Sequence, residues 1–191
     1  EGGAEPLLVQ PEGVALDRAG HIYVADRARG AVVRLEADGR VADPRWLAVM
    51  RPRLLAIDEH DVVWVGADGP AEAPWQRGPG EIWRVAPGAD PRLLLSGPVA
   101  SSIAAGPGGR LYVADRQGGR IFVLDAEGRR TDFATFTDSD APRALAFVPV
   151  TERTRRAGIA GDLLVVTIRR GAWPVNEVVR ITGPFDTLEP R

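Results

Sequence analysis

The sequence predicts an all-β protein made of four repeated antiparallel meanders. The pentapeptide Tyr-Val-Ala-Asp-Arg occurs twice, at residues 23–27 and 112–116, so that Asp26 and Asp115 are offset by 89 positions. Degenerate copies of the same segment follow each of the two, which gives a repeat of about 45 residues, the length of a propeller blade rather than of a helical repeat. No stretch sustains a helical period over three turns, and short β-rich runs alternate with Gly, Asp and Pro. The repeat therefore predicts a β-propeller.

The first repeat shows how each strand is predicted. A first strand over residues 13–16 ends at an Asp-Arg-Ala-Gly turn, and a second strand follows over residues 21–25. A third strand over residues 31–35 ends at an Ala-Asp-Gly turn, which leads to an irregular outer strand over residues 40–49. Turn residues at these positions supply the positive φ angles and side-chain hydrogen bonds that tight connections need. Each repeat is thus predicted to form one four-stranded sheet.

We predict one domain over residues 1–191, with blades over approximately 11–49, 50–97, 98–138 and 139–191. Residues 7–10 (Leu-Leu-Val-Gln) are a candidate closing strand, which would pair with the last blade and latch a four-bladed ring. In the alternative interpretation they are the outer strand of a preceding blade, and the chain is part of a larger propeller. An open ring would leave edge strands that invite pairing with another chain.

Composition excludes several classes of function. The formal net charge is −2 with both signs interspersed, so no basic surface for nucleic acid is expected. No apolar run approaches the length of a membrane span, and the absence of cysteine excludes disulfides and thiolate chemistry. The sequence begins at Glu1 with EGGAEP and without methionine, a pattern typical of the mature end of an exported bacterial protein. We therefore expect a periplasmic or extracellular location.

Two segments carry a resemblance to a known superfamily: PEGVALDRAGHIYVADRARGAVVRL at residues 11–35 and GGRLYVADRQGGRIFVLDAEGR at residues 108–129. They resemble NHL-repeat and gluconolactonase-like (strictosidine-synthase-like) β-propellers, and the weaker repeats extend the resemblance over nearly the whole chain. The resemblance implies a propeller fold, but not an activity, because such scaffolds host unrelated functions.

The resemblance also implies a metal site, which the residues oppose. Gluconolactonase-like enzymes hold a divalent cation with a Glu, Asn residues and an Asp at strand starts and loops. Glu12 matches the family's Glu, whereas Arg143 occupies the position of an Asn ligand and Arg53 the equivalent position in the second repeat. At an effective dielectric constant of about 20, two unit charges 4 Å apart interact by about 4 kcal/mol, so these arginines would oppose a dication. We predict no cofactor, with Ca²⁺ or Zn²⁺ expected only if the chain is an enzyme.

One face of the predicted propeller collects the candidate binding residues. The start of each first strand and the loop after each second strand lie on this face, and Trp and Arg are the side chains most enriched at binding hot spots. The candidates are Glu12, Asp26, Arg53, Trp75, Arg77, Asp115, Arg143, Arg170 and Trp173.

Each candidate also has a purely structural interpretation. The two aspartates follow a strand in an Asp-Arg-x-x-Gly context, where Asp commonly caps its own turn. Glu12 and the arginines of the first strands could form an ion-pair cluster that plugs the channel. His21 and His60 fall in hairpins at the opposite face, without the second ligand that a zinc site would need.

The sequence favours a non-catalytic module that binds a protein partner, or a small anionic or sugar-like ligand, through this Arg- and Trp-bearing face. The first alternative is a metal-dependent hydrolase or lyase of the gluconolactonase or strictosidine-synthase type, with Glu12 and Asp115 as ligand or general base. The second alternative is a structural subunit of a larger assembly, whose propeller a neighbour completes.

Overall fold

The computed structural model describes residues 6–71, 78–137, 140–169 and 176–185. Within these residues the regular secondary structure is β-strand apart from one five-residue helix, so the predicted all-β class is confirmed. The chain consists of two compact units, Glu1–Val99 and Ala100–Arg191.

The first unit contains two four-stranded antiparallel sheets, ordered β1-β2-β3-β4 and β5-β6-β7-β8. Their strands are β1 (Pro11–Leu16), β2 (Ile22–Asp26), β3 (Ala31–Leu35), β4 (Val41–Ala48), β5 (Pro52–Ile57), β6 (Val63–Ala67), β7 (Gly80–Val85) and β8 (Arg92–Gly97). Each strand pairs with the next one along the chain, as a meander requires. β3 begins and ends where the sequence predicts, and the other strands of the first sheet differ from prediction by one or two residues.

The second unit contains one four-stranded and one three-stranded antiparallel sheet. Their strands are β9 (Ser102–Gly106), β10 (Arg110–Asp115), β11 (Arg120–Leu124), β12 (Arg130–Thr135), β13 (Asp140–Phe147), β14 (Leu163–Arg169) and β15 (Asn176–Ile181). A five-residue helix, α1 (Glu152–Arg156), lies in the connection between β13 and β14 and begins with a capping box at Thr151. This helix is too short to show in the sequence pattern.

Each unit has its own apolar core between its sheets. In the first unit Val32, Val63 and Val65 are buried together with Tyr23, and Trp46 and Trp83 pack against them. In the second unit the buried ring of Tyr112 and the side chains of Leu163 and Val165 form the centre of the core. The middle strands β2, β6 and β10 are buried along nearly their whole length.

The candidate closing segment at residues 7–10 forms no strand, since β1 begins at Pro11. Instead of pairing with a strand, the backbone N–H groups of Val9 and Gln10 donate to the carboxylate of Asp26, at 2.7 and 3.0 Å. A buried carboxylate thus holds this segment against the end of β2. The blade boundaries and the closure of a ring remain predictions. In the part of the chain that the structure describes, no helix has the length and hydropathy that a membrane span requires.

Candidate functional site

The first strand of three sheets carries a β-bulge at the same position. In β1, Pro11 pairs with Asp26 and Gly13 with Ala25, so one residue between them has no partner on β2. The same shift occurs after the proline that stands at or near the start of β5 and of β13. The three unpaired residues are Glu12, Arg53 and Arg143.

A bulge bends its strand and re-aims the extra side chain, and bulges are over-represented next to functional sites. Proline fits these positions because a bulge or a strand start does not require its missing N–H. In β9, which is the first strand of the remaining sheet, the pairing with β10 continues without a shift. There Ser101 donates its hydroxyl to the carbonyl oxygens of Ala114 and Pro142, at 3.1 and 2.9 Å. Three equivalent bulges therefore present one acidic and two basic candidates.

In the first unit, two of these residues belong to a four-membered ion-pair cluster, which we call the Glu12–Asp68 cluster (Glu12, Arg27, Arg53 and Asp68). Asp68 is its centre: its Oδ2 lies 2.6 Å from Arg27 Nη1 and its Oδ1 lies 3.1 Å from Arg53 Nε. Arg27 Nη1 also lies 3.6 Å from Glu12 Oε1. All four side chains are partly buried, and Asp68 is the least exposed at 13%. The cluster contains two positive and two negative charges, which balance.

Close approach of two backbones brings this cluster together. A Cβ atom at Gly13 would lie 2.5 Å from the carbonyl oxygen of Arg53, a distance that real Cβ atoms do not adopt. Glycine at this position lets β1 and β5 approach, so that Glu12 and Arg53 share one end of the two sheets. Arg51 supports the same end, because its Nε donates to the carbonyl oxygen of Gly69 at 2.9 Å.

The cluster does not fit the divalent cation that the superfamily resemblance implies. Hard cations need several convergent oxygens, and here the guanidinium groups of Arg27 and Arg53 contact the carboxylates. Within the described residues no three His, Asp or Glu side chains gather as a metal-binding group. The absence of a cofactor nevertheless stays a prediction.

The two aspartates of the repeated pentapeptide are engaged in their own turns. Asp26 is fully buried and accepts hydrogen bonds from the backbone N–H groups of Val9, Gln10 and Arg29. Burial acts to raise the pKa of Asp26, but these hydrogen bonds and the charge of Arg29 outweigh it and hold the pKa below its ordinary value. Asp115 accepts from the backbone N–H of Gly118 at 2.8 Å and from Arg120 Nε at 3.2 Å. These contacts support the turn-capping interpretation of both residues.

The other sequence candidates divide into one exposed residue and several that are not described. Arg143 is exposed on β13. Four candidates lie outside the described residues: Trp75, Arg77, Arg170 and Trp173. Sequence reasoning missed Asp68, the centre of the cluster. The position of Asp68 in the repeat could have indicated it. Pro11 pairs with Asp26 and Pro52 pairs with Ala67, so Arg27 and Asp68 each stand one residue after the partner of a proline that starts a strand.

Comparisons with known proteins bear on the fold of the chain. Residues 8–35 match the NHL repeat. A search of curated proteins finds no significant match. Among solved structures, the chain is similar to a catalytically inactive virginiamycin B lyase from Staphylococcus aureus with quinupristin (16% identity, TM-score 0.61) and to a gluconolactonase from Xanthomonas campestris (17% identity, TM-score 0.60). It is also similar to a chain of the nidogen/laminin complex (17% identity, TM-score 0.61).

Each of these similarities covers 88% of this chain, but only 54%, 61% and 64% of the respective solved chains. The chain thus spans less than two thirds of the length of these structures. At this level of identity the similarity shows the fold, which is that of a β-propeller, and leaves the activity open. The predicted fold class and the NHL and gluconolactonase-like resemblance are confirmed.

Proposed function

We propose that this chain is a non-catalytic binding module, which binds a carboxylate-bearing protein partner at the bulged starts of its first strands. The observation that carries the proposal is the repeated bulge, which presents Glu12 and Arg53 in the first unit and Arg143 in the second at equivalent positions of their own sheets. Arginine offers a planar set of donors that matches a carboxylate, and such charge-assisted hydrogen bonds are about twice as strong as neutral ones. As whole residues, Arg143 and Glu12 are exposed, whereas Arg53 is partly buried.

The partly buried cluster of the first unit supports binding rather than catalysis. Its carboxylates lie 2.6 to 3.6 Å from guanidinium groups, an arrangement that favours ion pairing over service as a metal ligand or general base. The similarity to a chain of the nidogen/laminin complex supports a protein as the partner.

The alternative function is a metal-dependent hydrolase or lyase, which the similarity to a gluconolactonase and to a virginiamycin B lyase favours. It places a divalent cation near Glu12. The two proposals make opposite predictions about metal dependence, so that one measurement separates them.

We expect the melting temperature of the purified chain to change by less than about 1 °C on addition of EDTA, Ca²⁺ or Zn²⁺. A metal that binds only the folded state at about 100 times its Kd stabilises it by about 2.7 kcal/mol. For a domain of this size that corresponds to a rise of roughly 5–10 °C. Differential scanning calorimetry with each metal, and with EDTA alone, makes the comparison. A rise of several degrees would support the enzyme and count against the binding module.

A second prediction tests the face directly. A fluorescein-labelled hexaglutamate peptide serves as the carboxylate probe, and fluorescence anisotropy at low ionic strength measures its affinity. Replacing Arg143 by glutamine is expected to weaken binding about fivefold, which corresponds to a loss of about 1 kcal/mol. Arg92→Gln is the matched control, because it removes the same charge from an exposed position at the start of β8.

Arg92→Gln is expected to leave the affinity for hexaglutamate unchanged. Equal weakening by both variants would mean that the peptide responds to net charge alone, and would refute the proposed face. Absence of any binding by the wild-type chain would refute it as well.

A further inference from the structure

The first unit contains a cavity of about 340 Å³ at the end of its sheets opposite the Glu12–Asp68 cluster. It opens between the turn after β1 and the turn after β7, in the region where the sequence placed no function. Two aromatic and four ionisable side chains line it: Asp17, His21, Tyr23, Arg34, Trp46 and Asp61. Its volume lies at the lower end of the range of small-molecule sites.

The two carboxylates of the cavity already have partners. Asp17 accepts from the backbone N–H of His21 at 2.8 Å, contacts the imidazole Nδ1 of the same residue at 2.8 Å and accepts from the hydroxyl of Tyr23 at 3.3 Å. Asp61 accepts from the backbone N–H and from Nε of Arg18, at 2.9 and 3.0 Å. These hydrogen bonds satisfy much of the acceptor capacity of both groups, and the guanidinium of Arg18 compensates the charge of Asp61.

Arg34 differs from the other charged groups of the cavity. It stands opposite Tyr23 and Asp43 in the sheet, yet among the residues that the structure describes no carboxylate oxygen lies within 4.0 Å of its guanidinium nitrogens. Its Nε is buried without a hydrogen-bond partner. A buried donor that stays unpaired is costly, and such groups in native proteins call for an explanation.

One wall of the same cavity is aromatic. The rings of Tyr23 and Trp46 meet edge to face, with centroids 4.8 Å apart and an angle of 71° between their planes. Trp46 is only partly buried and lines the cavity. Aromatic walls bind flat apolar bodies, and a few placed polar groups then set the orientation.

We propose that this cavity binds a small monocarboxylate with a flat apolar body, whose carboxylate pairs with Arg34 and whose body packs on Trp46. The guanidinium of Arg34 interacts with the side chain of Tyr23 but has no carboxylate partner among the described residues, so it matches one negative charge. A dianion such as a phosphate monoester would place its second charge near Asp17 and Asp61, which disfavours it. The inference uses neither Arg143 nor the bulged strand starts, and it stands independently of the proposed function.

The test compares two probes of nearly equal size and shape, phenylacetate and the uncharged phenylacetamide. The indole N–H signal of Trp46, assigned with a Trp46→Phe variant, reports binding in ¹H–¹⁵N spectra of the full chain. We expect phenylacetate to bind at least about tenfold more tightly than phenylacetamide, as one additional charge-assisted pair implies. In Arg34→Gln this preference is expected to disappear.

Two further variants separate a binding role of Arg34 from a structural one. Arg34→Lys retains the charge and is expected to keep a preference for phenylacetate, which a merely folding-deficient site would lose. Arg45→Gln removes a charge from an exposed position on the neighbouring strand β4, outside the cavity lining, and is expected to behave as wild type. Equal affinities for the two probes, a preference that survives in Arg34→Gln, or no shift of the Trp46 signal at about 10 mM of either probe would each overturn the proposal.

Discussion

Replacing Tyr112 by alanine is expected to lower the free energy of unfolding by about 3–5 kcal/mol, the usual cost of removing a large buried aromatic ring. Tyr112 is fully buried, and its ring makes edge contacts with three phenylalanines. The ring centroids lie 4.9 Å from Phe147, 5.2 Å from Phe133 and 5.9 Å from Phe185. Urea denaturation followed by far-ultraviolet circular dichroism measures the change.

The hydroxyl of Tyr112 contributes differently from its ring. It is buried without a hydrogen-bond partner among the described residues, and burial raises its pKa to about 12. Because the folded pKa lies above the unfolded value of 10.0, stability is fully present below pH 10 and is lost progressively as the pH rises from 10 to 12. A shift of this size corresponds to a loss of about 2–3 kcal/mol. We therefore expect Tyr112→Phe to be as stable as wild type at neutral pH, or more so, and to lack this alkaline loss.

Tyr23 provides the matched control, since it occupies the same position of the repeated pentapeptide. Its hydroxyl donates to Asp17 at 3.3 Å, so Tyr23→Phe is expected to lose about 1 kcal/mol at neutral pH. If Tyr112→Phe lost as much at neutral pH as Tyr23→Phe does, the hydroxyl of Tyr112 would have a partner that the structure does not show.

Replacing Asp26 by asparagine is expected to lower the free energy of unfolding by about 2–4 kcal/mol. The change removes a buried, hydrogen-bonded carboxylate and leaves its donors unsatisfied. The carboxylate accepts three backbone N–H groups, and Arg29 Nε lies 3.4 Å away. An amide at this position would turn N–H donors toward other donors. Guanidinium chloride denaturation measures the loss.

The pH dependence of stability shows whether the carboxylate of Asp26 makes this contribution. The pKa of Asp26 is lowered from 3.8, so its contribution is present above pH 3.8 and is lost as the pH falls through the folded-state pKa. Asp26→Asn is expected to lack this part of the acid destabilisation. Asp38→Asn, at an exposed turn, is the control and is expected to change stability by less than about 0.5 kcal/mol. An acid profile of Asp26→Asn identical to that of wild type would contradict the assignment.

The order of strands was predictable from the sequence because its causes are local. The short β-rich runs, the Asp- and Gly-containing turns and the repeated pentapeptide lie within a few residues of the strands that they specify. The bounds of β3 were predicted without error, whereas α1 has too few residues to show a helical period. The candidate closing strand at residues 7–10 failed as a strand, because a carboxylate distant in sequence binds its backbone.

The candidate site was predicted only in part. Glu12 and Arg53 were recognised because each follows a proline at the same position of the repeat. Their partner Asp68 was not, because an ion pair between residues far apart in sequence leaves no periodic signal. The cavity beside Arg34 was missed for the same reason, since its lining comes from several strands and turns of the first unit.

The sequence by itself determined the class of fold and the length of the repeat, since turn chemistry and short β-rich runs act over a few residues. Only the tertiary structure decided which charges pair and which do not. Asp26 is turned inward onto backbone N–H groups, Asp68 is held between two guanidiniums, and Arg34 lines a cavity in which neither carboxylate pairs with it. These outcomes depend on how closely separate strands approach, as at Gly13, and that distance is set by packing rather than by local pattern.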